Sequence, residues 1–166
     1  MAEVKTLIDG KSLSYEGVFS IKDLYKTIDT WFKDRGYDKQ EVKNWEDVSE
    51  NEKQIVLEII PYKKVSDYAR IDIRVFMIFS RLSEIDIERN GIRSKMNKGR
   101  AEFYFDAYVV TDYENKWQTR PIFFFIKNII EKFIYRAYTT NYDSEAIRDC
   151  TDIENEIRSF LNMNRF

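Results

Sequence analysis

Apolar and polar positions alternate most regularly between Trp117 and Tyr142, where they follow the period of an α-helix. From Pro121 onward, apolar residues recur three and four positions apart, which places them on one broad face. These residues are Ile122, Phe123, Ile126, Ile129, Ile130, Phe133, Ile134 and Ala137. Proline suits the first helical position because the backbone nitrogen there has no partner within the helix. The pattern predicts a core helix laid across a sheet, with Phe124 left among its polar residues.

Two other segments show the helical period. The first runs from Ile21 to Arg35; Ser20 and Asp23 at its start resemble a capping box, and Gly36 suits the position after the last turn. The second runs from Asp143 to Met163. Its apolar stripe consists of Ile147, Cys150, Ile153, Ile157, Phe160 and Leu161. We therefore predict two helices in addition to the core helix.

Between Asp38 and Asp112 the period changes to two, which is typical of strands with one buried face. The predicted strands are Lys11–Phe19, Glu41–Val48, Gln54–Lys63, Tyr68–Ser80, Leu82–Ile92 and Lys98–Tyr113. In the second half of Tyr68–Ser80, Phe76 and Ile78 make the strand apolar on both faces, so we expect cover on both sides there. The dipeptide Asn90-Gly91 predicts a hairpin turn.

The last two predicted strands have an apolar and a charged set of alternate residues. We expect the apolar set to face the core; it comprises Ile85, Ile87, Phe103, Phe105, Ala107 and Val109. The other face then carries Asp72, Glu84, Asp86, Glu88, Glu102 and Asp106 together with Arg70, Arg74 and Arg89. Such a mixture is typical of a solvated sheet face with cross-strand ion pairs. Crowded carboxylates for acid–base chemistry or for a divalent cation are the alternative.

The order of these elements predicts an α+β fold. We expect an antiparallel meander sheet of about five to six strands, packed against a long C-terminal helix in the order β-α-β(4-5)-α-α, within a single domain of residues 1–166. By topology this order resembles a shortened helix-grip domain, the cavity-forming fold of lipid- and hormone-binding proteins. The resemblance implies an apolar ligand pocket between the core helix and the sheet.

Composition narrows the class of protein. The 166 residues carry a formal charge of −2, so no global attraction to nucleic acid or anionic membrane is expected. Aromatic residues make up 16% of the chain, a share that disordered chains lack. No signal peptide and no membrane span are visible, which leads us to expect a soluble, cytoplasmic protein. Cys150 is the only cysteine, and we expect it to be a buried residue and not a nucleophile.

The sequence contains no histidine, which removes the commonest general base and metal ligand. A single cysteine excludes Cys/His zinc sites, and the five glycines are isolated, so no phosphate-binding loop is present. We therefore expect no enzyme, no metal and no cofactor.

Two sets of residues are candidates for binding. The aromatic surplus suggests partner-binding side chains at Phe124, Tyr135, Trp117, Phe76 and Ile78. A basic set at the predicted hairpin tips suggests contacts to anions or nucleic acid: Arg89, Arg93, Lys95, Lys98 and Arg100; soluble hairpin tips are their simpler explanation. The leading hypothesis is a protein-interaction or structural module, a subunit of a larger assembly or a homo-oligomer. A small apolar ligand is the alternative, and nucleic-acid binding by the 89–100 hairpin is the third.

Overall fold

The computed structural model describes residues 2–38, 41–48, 52–112 and 135–163. In these ranges the chain has an α+β fold with an antiparallel sheet of six strands and two helices. The strands are β1 (Glu3–Phe19), β2 (Glu41–Val48), β3 (Lys53–Ile59), β4 (Tyr62–Lys64), β5 (Ala69–Arg89) and β6 (Ile92–Thr111). The helices are α1 (Ile21–Asp34) and α2 (Tyr135–Met163).

The sheet is organised around the long hairpin of β5 and β6. Its strand order is β1-β6-β5-β3-β2, with the short β4 also paired to β5, and every pair is antiparallel. The hairpin turns at Asn90 and Gly91, whose φ angles of 52° and 78° are both left-handed, as a tight type I′ turn requires. The turn prediction is confirmed.

Helix α1 begins and ends where its sequence signals predict. The Ser20 hydroxyl accepts a hydrogen bond from the Asp23 backbone N–H at 3.2 Å, which caps the first turn. Gly36 follows the last turn with a φ of 78°, a conformation that glycine adopts without strain. The apolar residues Leu24, Ile28 and Phe32 are buried.

The strand boundaries partly differ from the prediction. The predicted strand Gln54–Lys63 divides at Pro61, which lies between β3 and β4. The predicted strands Tyr68–Ser80 and Leu82–Ile92 are a single strand, β5, because the break in alternation near residue 81 is a bulge and not a turn. The meander therefore contains one hairpin turn fewer in this region than we expected.

The bulge inserts one extra residue into β5. Ser80 pairs with Arg100 and Ser83 with Lys98, so three steps along β5 match two steps along β6. Arg81 occupies the bulge with a left-handed φ of 52°. Because successive side chains alternate between faces, the extra residue exchanges the two faces of β5 beyond this point.

Because of this exchange, the predicted side of the sheet is wrong for the β5 residues beyond the bulge. By register, Ile85 and Ile87 lie on the same side of the sheet as Phe76, not on the core side. The acidic residues Glu84, Asp86 and Glu88 accordingly lie on the other side from Asp72 and Asp106.

The hydrophobic core lies between the two helices and one face of the sheet, which we call the inner face. Its buried residues on the strands are Leu13, Tyr15, Phe19, Leu57, Ile59, Ile71, Ile73, Val75, Met77, Phe79, Leu82, Ala101, Phe103, Phe105, Ala107 and Val109. Phe79 contacts Phe19 and Phe103 at ring-centroid distances of 5.8 and 6.0 Å. Burying each such side chain contributes about 1.5 to 3 kcal/mol.

Helix α2 contributes Ala146, Cys150, Ile153, Ile157 and Leu161 to this core, and Phe160 packs against it, so most of the predicted stripe of the last helix is confirmed. The prediction is wrong for Ile147, which is 42% exposed. The helix starts at Tyr135, eight residues before the predicted start at Asp143. Residues 113–134, which include most of the predicted core helix as well as Trp117 and Phe124, lie outside the described residues. Among the helices of the described ranges, none is long and apolar enough to cross a membrane.

Candidate functional site

The outer face is the side of the sheet opposite α1 and α2, and it carries a row of apolar side chains across three strands. Trp45 on β2 pairs with Val56 on β3, which pairs with Ile78 on β5. In the next row Phe76 pairs with Tyr104, with their ring centroids 6.2 Å apart. We call these five residues the aromatic patch.

Exposure differs within the aromatic patch. Trp45 is 53% exposed, a high value for tryptophan, whereas the other four residues are half-buried. The sequence-based candidates Phe76 and Ile78 are therefore near neighbours on the outer face, and their strand is apolar on both sides as predicted. The sequence pattern did not single out Trp45 as a binding residue, because its place on an edge strand depends on the order of strands.

Charged residues beside the patch form an ion-pair network across three strands. The Arg74 guanidinium contacts the carboxylates of Glu58 on β3 and Asp106 on β6, the latter at 2.8 Å. Asp106 also accepts a hydrogen bond from the backbone N–H of Gly10. Both carboxylates are buried, and the arginine lies over the ring of Phe76 at 5.0 Å. Pairing with Arg74 offsets the free-energy cost of burying these two carboxylates.

Two further ion pairs occupy the outer face. Arg70 contacts Asp72 at 2.8 Å, and Arg100 contacts Glu102 at 3.1 Å. Burial raises the pKa of the Asp72 carboxyl, and Arg70 opposes that shift. The acids of this face thus pair with arginines, as the sequence suggested, although three of them are buried and not solvated. Within the described ranges no group of three or more carboxylate or cysteine residues is arranged to hold a metal ion.

A second feature of the outer face is an open cavity at the β5 bulge, which we call the bulge cleft. It has a volume of about 450 Å³. Its lining residues are Glu16, Gly17, Arg81, Ser83, Lys98, Gly99 and Arg100. Three cationic side chains therefore share one depression with a single acidic residue.

The structure divides the basic residues that the sequence grouped together. Lys98 and Arg100 line the bulge cleft, whereas Arg93 and Lys95 lie on the other side of the hairpin, nearer the turn. Arg93 is 84% exposed and lies 3.6 Å from the carboxylate of Glu88. Arg89 is beside the turn, opposite Ile92.

Sequence reasoning missed Arg81. Its signal is the interval of three between the inner-face residues Phe79 and Leu82, which a strand can accommodate only through a bulge. In the sequence pattern the same interval predicts a boundary between two strands.

The inner side of the fold contains an ionic cluster around Asp149 of α2, whose side chain is 2% exposed. It accepts hydrogen bonds from the Tyr37 hydroxyl at 2.8 Å and the Lys63 ammonium at 2.9 Å. Lys63 also contacts Glu145 at 2.7 Å. Burial, and then Asp149, raise the pKa of Tyr37 well above its ordinary value, so the phenol remains a donor. These contacts connect α2 with β4 and with the residues that follow α1.

Cys150 is fully buried in the core beneath α2. Burial raises the pKa of its thiol to about 12, against a smaller opposing effect of Lys11. The thiol is therefore protonated near neutral pH, and it is not an accessible nucleophile. The expectation of a buried cysteine is confirmed.

Comparisons of the chain with protein-family models, with curated proteins and with solved structures found no match.

Proposed function

We propose that the protein is a non-enzymatic interaction module that associates with a second copy of itself through the outer face of its sheet. The observation that carries this proposal is the 53% exposure of Trp45 beside Val56 and Ile78. Exposed tryptophan next to apolar neighbours is typical of interfaces, where it frequently carries a large share of the binding energy.

The ion pairs beside the aromatic patch are compatible with contact with another protein surface. Association removes water, and an unpaired charge at the contact would oppose it. The buried carboxylates of Glu58 and Asp106 already share Arg74, and Asp72 already has Arg70. Covering this face therefore leaves these charges with their partners.

The outer face has the dimensions that a dimer needs. Five strands about 4.8 Å apart, over the length of the 8-residue β2 and the 7-residue β3, span roughly 600 Å². A standard interface buries about 800 Å² per partner. The hairpin beyond the bulge extends the same face with Ile85, Ile87 and the 70% exposed Ile92. A two-fold contact would use the same surface on both copies.

The test is the solution mass measured by light scattering over a concentration series. We expect the mass to approach twice the 20.1 kDa of one chain, and Trp45→Ser to weaken the dimer about 30-fold or more, the loss of one interface hot spot. Val48→Ser is the matched control, because Val48 is 68% exposed on the same strand but points to the other side. A wild-type mass of one chain at every concentration would refute self-association, as would equal weakening by both substitutions.

The other two hypotheses have less support. The cavity beside α1, lined in part by Ile28, Phe32 and Ile59, has a volume of about 10 Å³, whereas ligand pockets begin near 300 Å³. The pocket expected between the core helix and the sheet involves residues outside the described ranges, so the apolar ligand stays a prediction. The helix-grip order stays a prediction, since it depends on a helix at residues 121–137. Nucleic-acid binding by the 89–100 hairpin also stays a prediction, and its basic residues lie on two sides of that hairpin.

A further inference from the structure

The bulge in β5 presents Arg81 in a conformation that arginine rarely adopts. Its φ of 52° lies in the left-handed region, which is uncommon for residues other than glycine, asparagine and aspartate. Such conformations persist where the surrounding structure holds them, and they concentrate at functional sites. The pairs Ser80–Arg100 and Ser83–Lys98 hold the bulge on both sides.

The bulge packs closely against Gly99, where a side chain would not fit. A Cβ atom at this position would lie 2.8 Å from the Ser80 carbonyl oxygen and 3.0 Å from the Arg81 carbonyl oxygen. Gly17 is the register partner of Gly99 on β1, so two residues without side chains face each other here. Both glycines line the cleft beside its cationic side chains, so backbone forms part of the cleft wall, and the space without side chains is occupied by the bulge at Gly99 and by Tyr15 at Gly17.

The cationic side chains that line the bulge cleft are not all engaged in ion pairs. In the part of the chain that the structure describes, the side chains of Arg81 and Lys98 form no ion pair. Arg100 has one carboxylate partner, Glu102, at 3.1 Å and remains 40% exposed. Guanidinium groups recognise phosphate oxygens through paired hydrogen bonds, and a lysine ammonium adds a point charge.

We propose that the bulge cleft binds a small phosphorylated ligand through Arg81, Lys98 and Arg100. Its volume of about 450 Å³ lies within the range of small-molecule sites. The three cations converge on this one depression, and Arg93 and Lys95 lie on the other side of the hairpin. This arrangement favours one phosphoryl or pyrophosphoryl group over a nucleic-acid backbone, which would need a continuous cationic track. The proposal does not rest on self-association, although the cleft opens on the same outer face as the proposed dimer contact.

The test is calorimetric titration of the full chain with pyrophosphate, in low salt and then in rising sodium chloride. We expect one site per chain with a dissociation constant of about 1 mM or tighter, and affinity that falls with salt because the contacts are ionic. Arg81→Gly is the decisive variant: glycine accepts a φ of 52° freely, so the bulge keeps its backbone while the cation is lost. We expect Arg81→Gly and Lys98→Ala each to weaken binding about tenfold or more.

Lys95→Ala is the matched control, since it removes a cation from the same hairpin on its other side. It should leave pyrophosphate affinity unchanged. The proposal is overturned if pyrophosphate does not bind, if Arg81→Gly binds as the wild type does, or if Lys95→Ala weakens binding equally. Binding of a single-stranded oligonucleotide without binding of pyrophosphate would also overturn it. Trp45→Ser changes no residue of the cleft and should bind pyrophosphate at least as tightly as the wild type, so failure of the dimer and failure of this site are distinguishable.

Discussion

Replacing Gly99 with alanine should destabilise the protein, although the same change stabilises many proteins. Alanine restricts the unfolded chain and contributes about 0.4 to 1 kcal/mol where the native backbone accepts it. Here the new Cβ would lie 2.8 Å from the Ser80 carbonyl oxygen and 3.0 Å from the Arg81 carbonyl oxygen. Both atoms belong to the bulge backbone, which cannot rotate away like a side chain. Overpacking of this kind costs about 1 to 3 kcal/mol, so we expect a net loss of about 1 to 2 kcal/mol.

The assay is urea-induced unfolding of wild type and Gly99→Ala at one fixed protein concentration, since self-association would otherwise shift the midpoints. A double-mutant cycle with Arg81→Gly tests the cause. If the added methyl group must displace the bulge, glycine at position 81 lets the bulge adjust, and the cost of Gly99→Ala falls. An unchanged or increased free energy of unfolding in the single variant would refute the reasoning, because it would mean that the two carbonyl groups yield without strain.

Two further predictions concern buried groups beneath α2. Asp149→Ala should cost about 1 to 3 kcal/mol in urea unfolding, because it leaves the buried Tyr37 hydroxyl without its acceptor and removes one of the two carboxylates that contact Lys63. Lys33→Ala, at an exposed pair within α1, should cost less than about 0.5 kcal/mol. Similar costs for the two variants would contradict a stabilising role for Asp149. Alkaline pH should destabilise the protein through Cys150, since the thiol has a pKa of about 12 when folded and an ordinary value of 9.0. The folded state keeps a proton that the unfolded state loses, so this stability is complete below pH 9 and declines above it, by about 1 kcal/mol between pH 9 and 10. Comparing that decline in wild type and Cys150→Ala checks it: equal slopes would contradict the assignment, as would rapid reaction of the native thiol with a disulfide reagent.

Several elements were predictable from the sequence because their causes are local. The cap at Ser20, the glycine at position 36 and the apolar spacing between them define α1 to within one residue. The strand Glu41–Val48 has the predicted bounds, and Asn90-Gly91 forms the predicted turn. Each of these depends on neighbouring residues and on backbone preferences that operate within a few positions.

The candidate sites were less predictable because each combines residues from distant strands. Phe76 and Ile78 were identifiable from their own strand, but Trp45 joins them only through the order β5-β3-β2. Lys98 and Arg100 were identifiable as basic residues, but their separation from Arg93 follows from the alternation of one continuous strand, β6, and their proximity to Arg81 follows from the bulge in β5.

The sequence by itself determined the class of fold, the alternation that gives β5 its buried face, and the composition that leaves no histidine for catalysis. Tertiary structure decided which face of the sheet each β5 residue beyond Ser80 occupies, because one extra residue at Arg81 exchanges the two sides of that strand. It also decided which acids are buried, since Glu58 and Asp106 become compatible with burial only where Arg74 lies between them. The physical reason is that periodicity is a local property, whereas register and charge pairing are set by the partner strand.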